Sequence, residues 1–397
     1  MLVLVLAATW GLVSSGCRHP EPRGMVLAMG LAVFTTAPDG RQVPGAATAA
    51  FLAPAPGEWK YGTLADPNSN VFHKALAYCP RSDRCGLLTL GGTAAALTLW
   101  RPDGQRRVLW QTEFGGRFSR LRDAEVADVL GDGVPTVVVG THDQGVVALV
   151  RPDGTGGFTA REIDRQSATF VHEIEVGDLD GDRVLEIYAT VSLPNRLDGT
   201  PQPGSILRYT PARTAGRAVF ADLGDRHAKE ILVTDVDGDG RDELIASVEA
   251  VSGGSVEIRR YDPSGAGETV AVLPDRLCRC LTAGDVDSDG RREVVAATAK
   301  SGLWLLRPEP EGAPWRTERI DAASSGFEHP ALLADLDGDG RDELYVASDD
   351  QHEIRRYVWS EGTWRKDALY RYEGGMPGFT WALTAVDAAV VPASVWE

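Results

Sequence analysis

Four short segments carry aspartates at alternate positions: Asp178, Asp180 and Asp182; Asp235, Asp237 and Asp239; Asp285, Asp287 and Asp289; Asp335, Asp337 and Asp339. Each closes on a glutamate at position nine (Glu186, Glu243, Glu293, Glu343). Three of the four have glycine at position six, where the first has Arg183. Hard oxygen ligands crowded into a tight loop are what Ca²⁺ requires, and the alternate spacing gathers the carboxylates about one point. Solvated acidic turns would account for a single such segment. Four copies of one ligand spacing argue for about four bound Ca²⁺. The loop carboxylates nearly match the formal charge of −17 over 397 residues, and four Ca²⁺ would return eight positive charges, leaving about −9. The acidity is mostly ligand inventory, and a nucleic-acid partner is disfavoured.

The flanks of these loops specify the elements that position them. A short apolar segment precedes each loop, such as His172 to Gly177 or Lys229 to Thr234, and a β-branched run follows it, as in Glu186-Ile-Tyr-Ala-Thr. The unit is strand, acidic loop, strand. First aspartates at 178, 235, 285 and 335 are 57, 50 and 50 residues apart. A period near fifty with several short strands per unit predicts an all-β, seven-bladed β-propeller. Degenerate copies complete the count. Asp128 to Thr136 keeps the strands but has Leu130 and Thr136 at ligand positions; Cys79 and Cys85 bracket the corresponding turn one period earlier, where a disulfide is expected to replace the ion; and Trp381 to Asp387 repeats the inner strand alone. The chain ends two strands into the last blade on this reading, and Met25–Thr36 with roughly Glu58–Leu64 would complete it and close the ring.

The Asp-x-Asp-x-Asp-Gly-x-x-Glu loops between strands resemble the FG-GAP (VCBS-type) repeats of integrin α-subunit propellers and many bacterial surface proteins. The resemblance covers nearly everything after residue 25, departing at Arg183 and in the degenerate blades. It implies a calcium-binding propeller and leaves function broad, since that family includes adhesins, scaffolds, lectin-like binders and some carbohydrate-active enzymes.

Residues Met1 to Val13 are almost wholly apolar and run into Ser14-Ser15-Gly16-Cys17, which resembles a bacterial lipoprotein signal with Cys17 as the lipidated residue. The expected organisation is a signal peptide over 1–16, a tether over 17–24 and a propeller over 25–397. Arg18 after the cysteine suggests, by analogy with Gram-negative sorting, the outer membrane. Calcium loops and disulfides both belong outside the cytosol. Among the five cysteines, Cys17 is the odd member beside Cys79–Cys85 and the Cys278/Cys280 pair. Cys278-Arg279-Cys280 is open to a strained bridge, two buried thiols or a redox site, with buried or bridged structural cysteines favoured.

Six residues before each loop, the inner strands carry His73, Arg122, His172, Lys229, Arg279, His329 and Trp381. These positions form a ring at the channel mouth opposite the calcium loops, where His142, His227 and His352 and the aromatics Phe118, Phe170, Phe327 and Phe379 also fall. The ring is either a basic and aromatic funnel for a ligand or a set of inter-blade ion pairs, with Asp123, Glu173 and Glu230 as partners of Arg122, Lys229 and Arg279. His73, His172 and His329 lie in blades too far apart to share one metal. No nucleophile elbow, H-E-x-x-H or P-loop occurs. The sequence therefore predicts a lipid-anchored envelope protein that binds a protein or glycan through its non-calcium face. The alternative is a lyase-like carbohydrate-active enzyme with a His/Arg site at the channel mouth.

Overall fold

The computed structural model describes residues 22–115, 119–194, 200–310, 312–373, 375 and 378–397. The signal segment, most of the tether with Cys17, and Phe118 lie outside the described residues. Within them the chain is all-β, with three short 3-10 turns, and no helix is long and apolar enough to cross a membrane.

Seven antiparallel sheets follow one another around a ring. Blade one is built from Phe72–Tyr78, Gly86–Gly91, Leu97–Trp100 and Arg106–Trp110. Blade two begins at Leu121–Ala127, blade three at Phe170–Gly177, blade four at Ala228–Thr234, blade five at Cys278–Gly284 and blade six at Ala331–Ala334, each adding three further strands outward. Blade seven has Gly378–Asp387 innermost, paired to Met25–Thr36, then Ala47–Ala55 and Glu58–Asp66. The division expected for this blade needs correcting. The C-terminal segment supplies one strand rather than two, because the chain beyond Asp387 turns into the 3-10 segments Ala388–Val390 and Ala393–Val395. The N-terminal segment supplies three, Ala47–Ala55 being the one the sequence reading missed.

Every hydrophobic cluster lies between two neighbouring blades, which explains why the second strands read as unbroken apolar runs. In Val137-Val138-Val139 the first and third side chains pack with Leu88, Leu90 and Leu121 toward blade one, whereas Val138 packs with Ile174 and Ile187 toward blade three. Alternation by two thus serves two interfaces, and both faces of each strand are buried. The seam between first and last blades is built the same way, with Phe51, Val386 and Trp396 against Phe72, Ala75 and Leu87. Cys79 and Cys85 form a disulfide across the blade-one turn. Cys278 and Cys280 are separate buried thiols on alternate faces of the ring's packing: Cys278 lies in the cluster toward blade four, Cys280 in the cluster toward blade six.

Candidate functional site

The acidic loops connect first to second strands at one end of the ring. In each, the aspartates at positions one, three and five bring one oxygen apiece to within 4.8 Å of one another. The first aspartate shapes the turn by accepting backbone N–H groups from positions five and six. Asp182 and Arg183 donate to Asp178 at 3.0 and 2.7 Å, and Gly240, Gly290 and Gly340 donate to Asp235, Asp285 and Asp335 at 2.8–2.9 Å. Two residues per loop take positive φ, which suits glycine. Arg183 (φ +69°) and Ser288 (φ +60°) adopt it without being glycine.

The donor set fits a hard cation. Asp287 Oδ1 is shut off from solvent and has no hydrogen-bond donor. The position-nine glutamates sit beside the triads, bonded to the Tyr188 and Tyr345 hydroxyls (Glu186, Glu343) or to the Val236 and Val286 N–H groups (Glu243, Glu293). Burial, with the neighbouring aspartate charges behind it, pushes Glu243, Glu293 and Glu343 up to about 7. A bound cation reverses that balance. The blade-two loop keeps the turn, with Gly133 donating to Asp128 at 2.7 Å, but Arg151 pairs with its Asp132 at 2.6 Å. Comparable guanidinium contacts occur in three of the acidic loops, Arg213 with Asp182, Arg307 with Asp287 at 2.8 Å and Arg356 with Asp337 at 3.8 Å.

At the opposite end, a repeated irregularity aims the ring side chains. Six inner strands hold one residue extra to the ladder: Arg122, His172, Lys229, Arg279 and Trp381 each fall at a register shift, and the step from Phe72 to Ala75 makes room for His73. Such bulges turn side chains out of the alternating pattern. Blade six breaks the series. Its inner strand starts only at Ala331, after Pro330, and His329 (φ +49°) turns inward. His329 Nδ1 lies 2.7 Å from the Thr298 carbonyl and Nε2 2.7 Å from Ser324 Oγ; burial brings its pKa down to about 4. His329 therefore leaves the expected ring, because the proline precludes the bulge that would have aimed it at the channel.

The remaining ring residues are largely buried, and their partners differ from those expected. Arg279 donates to Glu249 at 3.0 Å and Glu328 at 2.7 Å, and Arg122 reaches Glu328 at 3.6 Å. Glu249 also meets His227 at 3.1 Å. Lys229 Nζ lies 3.0 Å from both ring nitrogens of His172, whose Nε2 is 2.7 Å from Ser192 Oγ. Burial holds Lys229 well below its ordinary value, and burial followed by the Lys229 charge does the same to His172. His142, His172 and His227 stand in a row with ring centres 5.5 and 6.2 Å apart, a grouping that their scatter along the sequence conceals. His352 lies away at the blade-six turn.

Among the described residues Asp123, Glu173 and Glu230 form no direct ion pair with Arg122, Lys229 or Arg279, although the three acids line one cavity with Arg122 and Arg279. Asp123 accepts the Ile174 N–H of the next blade at 2.9 Å, and Glu230 accepts that of Leu281 at 3.2 Å. Lys74 bonds Asp123 at 2.9 Å and Glu125 at 2.5 Å. Burial pushes Glu230 up to about 8, and raises Glu173 and Glu175 well above the carboxylate range. Glu249 and Glu328 were missed because neither shares a repeat position with the ring; only the fold brings them to it. Phe34, Phe379 and Phe327 form a partly exposed aromatic lip beside Arg279, with ring centres 5.9 and 5.7 Å apart in sequence around Phe379.

The chain matches the FG-GAP-like repeat family over residues 128–189 and 235–324. No curated protein matches it. Among solved structures it is similar to a putative 6-phosphogluconolactonase from Bacteroides uniformis, at 14% identity, TM-score 0.56, covering 91% of this chain and 99% of that one. A putative 6-phosphogluconolactonase from Bacteroides fragilis follows at 11% identity, TM-score 0.53 and coverage of 91% and 98%. A functionally unknown protein from Desulfotomaculum acetoxidans gives 12% identity, TM-score 0.50 and coverage of 92% and 99%. At these identities the likeness is one of fold.

Arg279→Ala should destabilise the protein by roughly 3–5 kcal/mol, since it strands two buried carboxylates. Glu230→Gln, which keeps an acceptor for the Leu281 N–H, should cost about 1 kcal/mol or less. Chemical denaturation of both variants checks this, and equal losses would contradict the pairing.

Proposed function

We propose that this FG-GAP-repeat β-propeller is a calcium-stabilised binding module of the bacterial cell envelope. In this reading it is held to the membrane by a lipid on Cys17 and presents its non-calcium face to a protein or glycan. The observation that carries the binding role is the non-calcium end itself. In the aromatic lip Phe34 and Phe379 are exposed and Phe327 is half-buried under Arg279, and the bulges aim polar side chains toward the same mouth. Aromatic faces next to fixed hydrogen-bonding groups suit partner recognition. Phe34→Ser with Phe379→Ser should abolish capture on a glycan array or from an envelope extract while the melting temperature holds. Full capture by that variant would remove this face from consideration.

Calcium is assigned to four loops on their converging aspartates and the orphaned Asp287 oxygen. Without the ion, like charges stay packed within a few ångströms, so chelation should lower the melting temperature. Elemental analysis should find about four Ca²⁺ per chain, and Asp237→Ala or Asp337→Ala should each remove about one. Chelator-insensitive melting would contradict this assignment.

The lipid anchor makes a separate prediction. Cys17→Ser should release the protein from membranes into the soluble fraction, because acyl chains supply the apolar attachment in this reading. Membrane retention of that variant at high salt would refute it.

A lyase-like enzyme is the second reading, favoured by one cluster. His172 contacts Lys229 and stands between His142 and His227, and burial favours the neutral, proton-accepting forms of His142, His172 and Lys229. Release of unsaturated uronides from acidic polysaccharides, lost in His172→Gln, would establish it over the binding role.

A further inference from the structure

The end of the ring that carries the acidic loops also holds a groove of the opposite charge. It lies between blades one and two, about 580 Å³ in volume, and is lined by Arg81, Arg84, Arg101, Arg106 and Arg107 beside Phe158. All of these arginines come from blade one. Arg81 and Arg84 sit in the turn that the Cys79–Cys85 disulfide closes, Arg101 follows the third strand, and Arg106 and Arg107 open the fourth. The repeat shows what sets Arg101 apart. Arg151 and Arg307 hold the same place in blades two and five, and each closes on an aspartate of its own loop, Asp132 at 2.6 Å and Asp287 at 2.8 Å. The blade-one loop keeps one aspartate, Asp83, and that residue meets Arg81 at 3.3 Å instead.

Charge does not balance in this groove. Asp66 takes Arg106 at 2.8 Å, and Asp103 accepts the Gln105 N–H of its own turn at 3.0 Å. Among the described residues Arg84, Arg101 and Arg107 meet no carboxylate. Five guanidinium groups against Asp66, Asp83 and Asp103 leave two positive charges, in a chain whose formal charge is −17. A concave surface of one sign focuses the field and concentrates ions of the other. Two of the guanidinium groups are also held in place by aromatic rings, Arg106 over Trp100 at 5.3 Å and Arg107 over Phe158 at 5.0 Å. Stacking of this kind leaves the edge N–H donors free to grip the oxygens of an anion.

The excess sets the charge of the ligand. A phosphate monoester brings about −1.5 to −2 near neutral pH with three acceptor oxygens, whereas a carboxylate or a sulfate ester brings a single negative charge. The groove has the volume of a small-molecule site. We propose that it binds the phosphate monoester of a small organic molecule such as a sugar. The phosphate oxygens are shared among Arg84, Arg101 and Arg107, and the body lies against Pro152 and Phe158. This site stands at the end of the ring opposite the aromatic lip and does not rest on the binding role proposed for that face.

Calorimetric titration of the full chain with glucose 6-phosphate, in calcium-containing buffer at about pH 7.5, tests the assignment. Glucose 6-sulfate, glucuronate and glucose serve as controls. The phosphate should bind saturably, and about 1 M salt should weaken it. The two singly charged sugars should bind at least about ten-fold more weakly, and glucose should not saturate. Arg84→Gln with Arg101→Gln should weaken phosphate binding at least about ten-fold without lowering the melting temperature, since neither side chain has a carboxylate to lose. Arg319→Gln, which alters an exposed arginine stacked on Trp304 in blade five, should leave affinity unchanged. Phe34→Ser with Phe379→Ser should also leave it unchanged, which separates failure of this groove from failure of the aromatic lip. No saturable binding of glucose 6-phosphate, equal affinity for glucose 6-sulfate or glucuronate, or full affinity in the double arginine variant would each overturn the assignment.

Discussion

A ring of sheets leaves one edge of every innermost strand facing the channel, and the backbone N–H groups on that edge must find acceptors. Here side chains of the preceding blade supply several of them. Asp123 reaches Ile174 N, Glu230 reaches Leu281 N, Cys280 Sγ meets Ala331 N at 3.1 Å, and Thr282 Oγ1 meets Leu333 N at 2.9 Å. These contacts tie blade to blade by satisfying backbone rather than by pairing charges. They also explain why carboxylates survive in a channel where burial disfavours their ionised form. Glu230 keeps its place as an acceptor even when protonated.

The same requirement divides the two ends of the ring by chemistry. The bulge that begins six inner strands reverses which side chain faces inward, so one residue goes to the mouth and the next to the seam between blades. Bases and aromatics therefore collect at the mouth, and acceptors collect below them. The mouth is then braced by acids from outside the repeat, Glu249 and Glu328. This brace is specific: it satisfies Arg279 Nε and Nη1 but leaves Nη2 open, and it gives Arg122 little.

At the other end, loop shape and the set of loop carboxylates are separable properties. The degenerate Asp128 loop folds like its neighbours, with Asp132 and Gly133 N–H groups on the first aspartate. The turn is thus specified by that aspartate and by residues that tolerate positive φ. The carboxylates this loop lacks are those of positions three and nine, replaced by Leu130 and Thr136, and these change without disturbing the fold. The Cys79–Cys85 bridge is another way to hold the same turn closed.

Periodic features were legible in the sequence because they depend on local chemistry. The acidic loops, the strands flanking them, the blade count and the Cys79–Cys85 bridge all follow from spacing and turn propensity, which neighbours in the chain decide between themselves. Position in the ring was legible as well, since the period fixes which residues start inner strands. Partners were not. Glu249 and Glu328 come to Arg279 from second-strand and inter-blade positions that carry no periodic mark, His142, His172 and His227 meet only because consecutive blades converge, and Pro330 removes His329 from the ring by a backbone effect that spacing does not record. Blade seven, whose strands come from both termini, likewise depends on closure. Periodicity is written in nearest neighbours, whereas pairing around a closed channel is settled by which side chains can reach the buried groups that need them, and only the assembled ring defines that.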